Sequence, residues 1–462
     1  MAEVTITPHQ REQLARATSG PVGVLGGGPG TGKTFVVKEL IKQLQGSIGL
    51  SQIAVGCPTG KAAVRVTEVL AKDGIPLVAK TWHSLLKGGV GEGFFFTRGN
   101  PLPFRVLIGD ESSMVDCSLA AGIMRARAAG ALMLWVGDVF QLAPVGHGAP
   151  LRDMIAAGLP YGELTEIKRN SGGIVEACAA IRRGERWGAG DNLLIHESRG
   201  PHEQVETMLE TLEGARAQGR DPIWDCQIVC PVNKRSPLAR KALNLILQRE
   251  LNPAGQVAGT NPFRTDDKIV NTKNTSFTLV SHGDDFDADN PRAGDGDSKE
   301  AYVANGELAR VLDVDDRWTI AELDNPWRVI RIPRGSGKKK AADDGDDEAE
   351  ATAGDDNDNE NKEIDTGTGC SWDLGYALSV HKAQGSEWPV VLVMLDEYPG
   401  AKRVASREWI YTALSRAKEY CHLIGSKATA DAMCQRPAIW KRKTLLKEQI
   451  LAETARRNLV YL

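Results

Sequence analysis

At 462 residues, with 42% apolar and 25% charged side chains, the chain has room for roughly two to three domains and an ordinary globular composition, which excludes collagen-like, mini-protein and wholly disordered classes. No run approaches the ~18 consecutive apolar residues of a membrane span, and the start Met-Ala-Glu-Val-Thr lacks the basic and apolar parts of a secretory signal, so a cytoplasmic protein with no membrane partner is expected. The net charge of −4 conceals two populations: 283–300 carries seven acids against two bases and 343–365 twelve against one, which leaves the rest of the chain at +12, a balance compatible with a polyanion partner.

In chain order, Val22–Leu25 is a short apolar run followed by a glycine loop, after which Phe35, Val36, Leu40, Ile41 and Leu44 recur at helical spacing: strand, loop, helix. Strand candidates follow at Ile53–Val55, Val106–Ile108, Leu132–Val136, Ile228–Cys230, Val390–Met394 and Leu423–Ile424, mostly with helical stretches between them. That alternation predicts parallel sheets covered by helices, and its two groups predict two α/β domains. From about 261 to 368 the rhythm breaks into Asp-, Gly-, Asn- and Thr-rich chain with β-like pieces at Lys268–Val270, Leu308–Leu312 and Trp327–Ile332, a small β-rich insertion. The acidic runs inside it cannot bury enough apolar surface to order themselves and are expected as solvated loops, with Lys338–Lys340 part of the same stretch. The eight cysteines are scattered, and the close pair Cys226 and Cys230 has no second pair or nearby histidine, so reduced, mostly buried thiols are expected.

Three stretches carry chemistry. Gly27-Gly-Pro-Gly-Thr-Gly-Lys-Thr34 matches G-x-x-x-x-G-K-[ST] between a strand and a helix, the setting in which backbone N–H groups face phosphate oxygens. Gly28, Gly30, Thr31, Gly32, Lys33 and Thr34 are its cofactor-binding candidates, Lys33 reaching the β/γ-phosphates and Thr34 ligating Mg²⁺, so ATP or GTP is expected. Val106-Leu-Ile-Gly-Asp110-Glu111 ends an apolar strand in two carboxylates, which suits Asp110 to holding Mg²⁺ and Glu111 to orienting or deprotonating the attacking water. Leu134-Trp-Val-Gly-Asp138-Val-Phe-Gln141 ends a further strand in a polar loop; Gln141 there is either a sensor of the γ-phosphate or part of a surface turn.

Asp110-Glu-Ser-Ser-Met-Val-Asp116, followed by Gly137-Asp-x-x-Gln-Leu-x-Pro-Val-Gly, resembles motifs II and III of the superfamily-1 helicases of the RecD/Dda branch. Thr7-Pro-His-Gln10 resembles the Q motif, Cys57-Pro58-Thr59-Gly60-Lys61 motif Ia, Lys80-Thr81-Trp-His83 motif Ib, Leu164-Thr-Glu-Ile-Lys-Arg169 motif IV, His381-Lys382-Ala-Gln-Gly385-Ser-Glu387 motif V, and Tyr411-Thr-Ala-Leu-Ser-Arg416-Ala-Lys motif VI. Small departures keep the chemistry, such as Ser415 where the family often has Thr and Lys61 where Arg is common. The resemblance covers residue 7 to about 425 and implies an α/β fold of two RecA-like P-loop NTPase domains with a small β-barrel insertion and a short hairpin insertion. The expected boundaries are 1–165 for the first domain with its hairpin at 87–104, 166–260 with 369–462 for the second, and 261–368 for the barrel-like insertion.

The same resemblance implies roles. Gln10 reads adenine; Gly385 and Glu387 help to bind the nucleotide; Arg169 and Arg416 meet the γ-phosphate; Pro58, Thr59, Gly60, Thr81, His83, His381 and Lys382 touch the nucleic acid. Phe94-Phe-Phe96, after a glycine turn, fits the tip of a strand-splitting pin, with Phe95 on the last base pair, or equally a cluster packed under the loop. The implied activity is ATP-dependent 5′→3′ unwinding by a monomer on single-stranded and forked DNA. An RNA helicase, a protein-displacing translocase and a nucleotide-dependent scaffold remain as rivals. The acidic loops could repel DNA, dock a basic protein partner or be unselected length. The length and early Q motif suit compact phage-type relatives, and Lys441–Asn458 reads as a basic amphipathic packing helix.

Overall fold

The apolar run before the glycine loop becomes strand β1 (Val22–Gly27), and the chain continues through β2 (Ile53–Cys57), β3 (Lys80–Thr81), the paired short strands β4 (Gly88–Gly89) and β5 (Gly93–Phe94), β6 (Val106–Gly109), β7 (Leu132–Gly137) and β8 (Tyr161–Leu164). All but β4 and β5 form one six-stranded sheet in the order β3-β2-β6-β7-β1-β8, every neighbouring pair parallel. The computed structural model describes residues 6–89, 93–166, 172–281, 300–324, 327–334 and 370–460. Arg169, the acidic stretches 283–299 and 343–365, and Lys338–Lys340 lie outside the described residues.

Side-chain alternation along these strands splits the core in two. Leu25, Val55, Ile108, Leu134 and Val136 pack with Val36, Leu40 and Ile41 of the helix Lys33–Ile48 and with Val66 and Leu70 of the helix Gly60–Ala71. Their neighbours Val24, Ala54, Leu107, Met133 and Trp135 join a second cluster with Trp82, Leu86, Ile123 and Met154. A strand buried on both faces reads as an unbroken apolar run, which is why the sequence reveals it.

Beyond β9 (Leu193–His196) and β10 (Cys226–Cys230) come β11 (Lys268–Asn271), β12 (Thr275–Ser281), β13 (Glu300–Val303), β14 (Leu308–Val314), β15 (Trp318–Asp324), β16 (Trp327–Pro333), β17 (Trp372–Leu374), β18 (Ala377–Ser379), β19 (Trp388–Met394) and β20 (Ala417–Ile424). A second parallel sheet has the order β18-β10-β19-β20-β9. By contacts the chain divides into one unit of Met1–Asn244 with Tyr376–Leu462, which holds both parallel sheets, and another of Leu245–Gly375.

The second unit is a seven-stranded antiparallel sheet in the order β13-β12-β16-β15-β14-β11-β17. Its interior is partly ionic: Arg328 meets Glu307 at 2.6 Å with both side chains only 7% exposed. Asp267, fully buried, accepts from the side-chain amides of Gln248 and Asn252 and from the Arg264 N–H. Burying a carboxylate is tolerable when such donors replace its water.

In the first unit the chain end returns to the first sheet. The Arg152 guanidinium donates to the Ile439 and Arg442 carbonyls, and Arg442 donates to the carbonyls of Gly146 and Gly148. Leu446 and Ile450, at the start of the helix Leu446–Val460, then pack on the cluster containing Val24 and Trp135. All eight cysteines are free and six are buried. Among the described residues no helix is long and apolar enough to cross a membrane.

His196 and His422, on adjacent strands β9 and β20, stack with centroids 5.2 Å apart and share a 3.0 Å Nε2···Nδ1 contact, so one ring must donate and the other accept. Burial and the neighbouring His196 push His422 down to about 4, and burial lowers His196 as well. Unfolded imidazoles bind protons near 6.5, so the pair contributes its full stability above that pH and loses it as pH falls towards 4. Thermal unfolding at pH 7 and pH 5 is expected to differ by about 1–2 kcal/mol from this source, and His422→Gln is expected to flatten the difference; an unchanged slope in that variant would remove the pair as its origin.

Candidate active site

The glycine loop turns between β1 and the helix Lys33–Ile48 because Gly30 and Gly32 take left-handed φ of 72° and 85°, a region closed to most side chains. A Cβ on Gly32 would stand 3.0 Å from Gln10 Nε2. The loop is tied internally by Thr31 Oγ1 donating to the Gly28 carbonyl at 2.8 Å, and by Lys33 Nζ donating to the carbonyls of Gly27 and Gly28 at 2.7 and 3.0 Å. Gln10, buried, is engaged at both ends of its amide: Oε1 accepts from the Thr7 N–H in a capping box, and Nε2 donates to the Thr31 carbonyl at 3.2 Å. Its contact with the loop is thus to backbone, and Gln13 instead fastens the same helix to β8 through the Glu163 N–H.

Strand β6 delivers the acidic pair. Thr34 Oγ1 donates to Asp110 Oδ2 at 3.5 Å, while Asp110 Oδ1 accepts the Glu111 N–H at 2.9 Å. Burial, with the charge of Glu111 next in size, pushes the Asp110 carboxyl up to about 6, a strain that a nearby cation would relieve. Glu111 has a φ of 50°, unusual for a non-glycine residue, and its Oε2 is buried with no hydrogen-bond partner among the described residues. An uncompensated buried carboxylate oxygen costs about 1–3 kcal/mol, and such sites concentrate where a ligand completes the set.

The loop after β7 meets the second sheet's helix Arg407–Leu414. Tyr411 donates its hydroxyl to Asp138 Oδ2 at 2.8 Å, and the Leu142 N–H donates to Thr412 Oγ1 at 2.9 Å, both buried. Gln141, between those anchors, is buried, and its Oε1 has no hydrogen-bond partner among the described residues. A Cβ on Gly28 would come within 3.3 Å of the Tyr411 hydroxyl, so this helix stands against the glycine loop itself. Arg416, 3% exposed, donates Nε to the Thr412 carbonyl, Nη1 to the Ser386 carbonyl and Nη2 to Ser415 Oγ. Arg182 pairs with Glu163 at 2.5 Å and lies over the Phe140 ring at 4.2 Å. Gly385, at φ 74°, offers its carbonyl to Arg65 Nη1 at 2.9 Å, and Glu387 pairs with Arg65 Nη2 at 3.2 Å.

The nucleic-acid candidates stand at carboxyl ends of parallel strands. Thr59, after β2, caps the helix Gly60–Ala71 by accepting from the Ala62 N–H; Thr81, ending β3, caps the helix Trp82–Leu86 by accepting from Ser84. His381 and Lys382 follow Ser379, which ends β18 and caps in the same way. Pro58 is half-buried and Gly60 buried, while His83 and His381 are exposed. The aromatic triplet divides: Phe94 and Phe96 pack on the Trp82 cluster, Phe94 filling the notch at Gly122, where a Cβ would sit 2.5 Å from its ring, whereas Phe95 is 59% exposed. Packing under the loop and display at its surface are therefore both present, in different residues.

The fold gathers Gln10, Gly28, Gly30, Thr31, Gly32, Lys33, Thr34, Asp110 and Glu111 around one loop and brings Gln141 beside the motif VI segment. Sequence reasoning missed Asp138, Tyr411 and Thr412 as a buried bridge, and Arg65, whose only signal was its position one helical turn after Lys61.

Residues 10–147 match the AAA domain family and residues 374–424 the UvrD-like helicase C-terminal domain family. The ATP-dependent RecD2 DNA helicase of Deinococcus radiodurans is 32% identical over 97% of this chain and 53% of its own length, so the chain spans about half of that relative. The RecBCD enzyme subunit RecD of Mycobacterium tuberculosis is 28% identical over 93% of this chain and 71% of its own. The solved Pif1 helicase from Bacteroides is similar at 17% identity and a TM-score of 0.49, covering 93% of this chain and 97% of that one.

Proposed function

We propose that the chain is a DNA helicase of the RecD-like branch of superfamily 1, hydrolysing ATP to move 5′→3′ along a single strand and open forked duplex, and working as a monomer. The observation that supports this most is the joint between the two parallel sheets: the buried Tyr411–Asp138 and Thr412–Leu142 hydrogen bonds link the Gln141 loop to the helix that precedes Arg416. A group that responds to phosphate in one sheet is thereby mechanically joined to the other, which a motor needs and a passive binder does not.

The side chains fit ATP and Mg²⁺. Gly28, Gly30, Thr31 and Gly32 supply a backbone cradle, Lys33 an ammonium, and Thr34 with Asp110 an oxygen pair of the kind hard divalent cations take. Mg²⁺ at that pair supplies charge neutralisation for phosphoryl transfer. Glu111 orients water and takes its proton, while Gln141, Arg169 and Arg416 address the γ-phosphate and Glu387 and Gly385 the nucleotide from the second domain. Gln10 keeps the loop and adenine in register. The working domains are 1–165 and 166–260 with 369–462, each RecA-like, and 261–368 is a barrel-like insertion.

The strand is held through its backbone by Pro58, Thr59, Gly60, Thr81, His83, His381 and Lys382, so sequence preference is low. ATP hydrolysis with and without poly(dT), then with poly(U), and unwinding of 5′- and 3′-tailed forks test the reading; a rate indifferent to either polymer would defeat it. Phe95 is the pin residue. Loss of one base stack costs about 1–3 kcal/mol, so Phe95→Ala is expected to slow fork unwinding roughly tenfold while poly(dT)-stimulated hydrolysis stays within about twofold. Parallel loss of both would reassign Phe95 to strand binding.

A further inference from the structure

Arg65 sits on the helix Gly60–Ala71, whose first residues carry the nucleic-acid candidates, yet its partners belong to the segment before β19. It donates Nη1 to the Gly385 carbonyl at 2.9 Å and meets Glu387 Oε2 with Nη2 at 3.2 Å. Lys61, one turn earlier on the same helix, lies 5.8 Å from the Trp388 ring centroid. Residues at i and i+4 share a face about 6 Å apart along the axis, so two successive turns of one helix touch residues 385–388 of the other sheet's domain.

We propose that Arg65 is a positioning residue that transmits strand engagement at Thr59–Lys61 to the nucleotide-facing segment Gly385–Glu387. The inference rests on the motor reading above and adds to it the residue through which DNA reaches the second domain's half of the site. Geometry favours arginine for this task. A guanidinium can hold a carbonyl and a carboxylate together in a fixed fork, which an ammonium cannot. The Glu387 side chain is 15% exposed, so the contact is less screened than a surface pair. Gly385 is in the left-handed region, which fixes the direction of the carbonyl that Arg65 reads.

Electrostatics extends the same contact inward. Burial lowers the Arg65 pKa, but Glu387, Glu111 and Asp110 outweigh it and raise it overall, so one guanidinium lies in the field of carboxylates on both sides of the joint. Displacing the helix along its axis when a strand binds at its first turn therefore changes the attraction Arg65 exerts on Glu387 and on the Asp110–Glu111 pair together.

Steady-state hydrolysis by the full chain, with and without poly(dT), tests this for wild type, Arg65→Ala, Arg65→Lys, Glu387→Ala and the Arg65→Ala/Glu387→Ala double variant. Arg65→Ala is expected to cut the poly(dT) stimulation ratio at least tenfold while half-saturating poly(dT) moves less than threefold, and Arg65→Lys to recover less than half of the loss. The double variant is expected to stimulate no worse than the poorer single one, because the two residues act as one unit. Multiplicative losses in the double variant, or an Arg65→Ala ratio equal to wild type, would overturn the assignment. A wild type that poly(dT) does not stimulate would instead bring down the motor reading itself.

Discussion

Glu111→Gln is expected to lower poly(dT)-stimulated ATP hydrolysis by about 10²- to 10⁴-fold, the range that removal of a positioned general base produces, with nucleotide affinity changed only a few-fold. The substitution keeps the shape and removes the basicity. Its expected size follows from how this side chain is held. The Glu111 N–H is bound by Asp110 Oδ1, and the residue holds a φ of 50°, so its backbone is fixed on both counts. Oε2 is buried and has no partner among the described residues, which suits it to accept a water proton. Asp110→Asn makes the contrasting case: it should weaken Mg²⁺-dependent nucleotide binding as well as turnover, because Asp110 shares the oxygen pair with Thr34. Single-turnover hydrolysis beside a fluorescent-nucleotide titration separates the two. If Glu111→Gln turned over ATP at the wild-type rate, the water-activating role would have to move to another residue.

The parts of this site that sequence reveals are those where one short segment does the whole job. The glycine loop is such a case, since Gly30 and Gly32 must be glycine for backbone reasons alone. So is the acidic pair at the end of β6, because a fully buried strand is apolar to its last residue and its first charge is conspicuous. What could not be read lies between segments distant in the chain. The Tyr411–Asp138 bond joins residues 273 positions apart and the Arg65–Gly385 bond residues 320 apart; neither pair has a local pattern, and Arg65 looks like any solvated helix arginine.

The strands tell the same story. β8, with the sequence Tyr-Gly-Glu-Leu, and β3, only two residues long, are edge strands of the first sheet, and β9 and β18 flank the second. Edge strands need fewer apolar residues than central ones, so their periodicity is weak. Thr59 and Thr81 show a further limit: motif resemblance gives them to the nucleic acid, while the structure also gives each a helix cap, so their replacement by Ala would cost about 1 kcal/mol of local stability before any DNA contact is lost.

Arg416→Ala is expected to reduce kcat by about 10³-fold or more, in the range of arginine fingers, with nucleotide-free binding to single-stranded DNA within about twofold. A guanidinium that is 3% exposed would ordinarily be paired with a carboxylate, since an isolated buried cation is expensive. Here its partners are the Thr412 and Ser386 carbonyls and the Ser415 hydroxyl, all neutral, and among the described residues no carboxylate forms an ion pair with it. The positive charge is thus oriented but not neutralised, and an anionic phosphate entering the joint would supply what the protein withholds. On the proposed reading, the group that would stabilise the transition state is held by the same contacts that hold Ser386 and Thr412, which would couple chemistry to the joint at this residue. Lysine cannot reproduce three fixed donors, so Arg416→Lys is expected to recover less than a tenth of the lost rate while remaining folded. If the lysine variant instead kept more than half of wild-type kcat, a point charge would suffice and the forked geometry would be irrelevant; if Arg416→Ala kept the wild-type kcat, Arg416 would be a structural tie rather than a partner of the γ-phosphate.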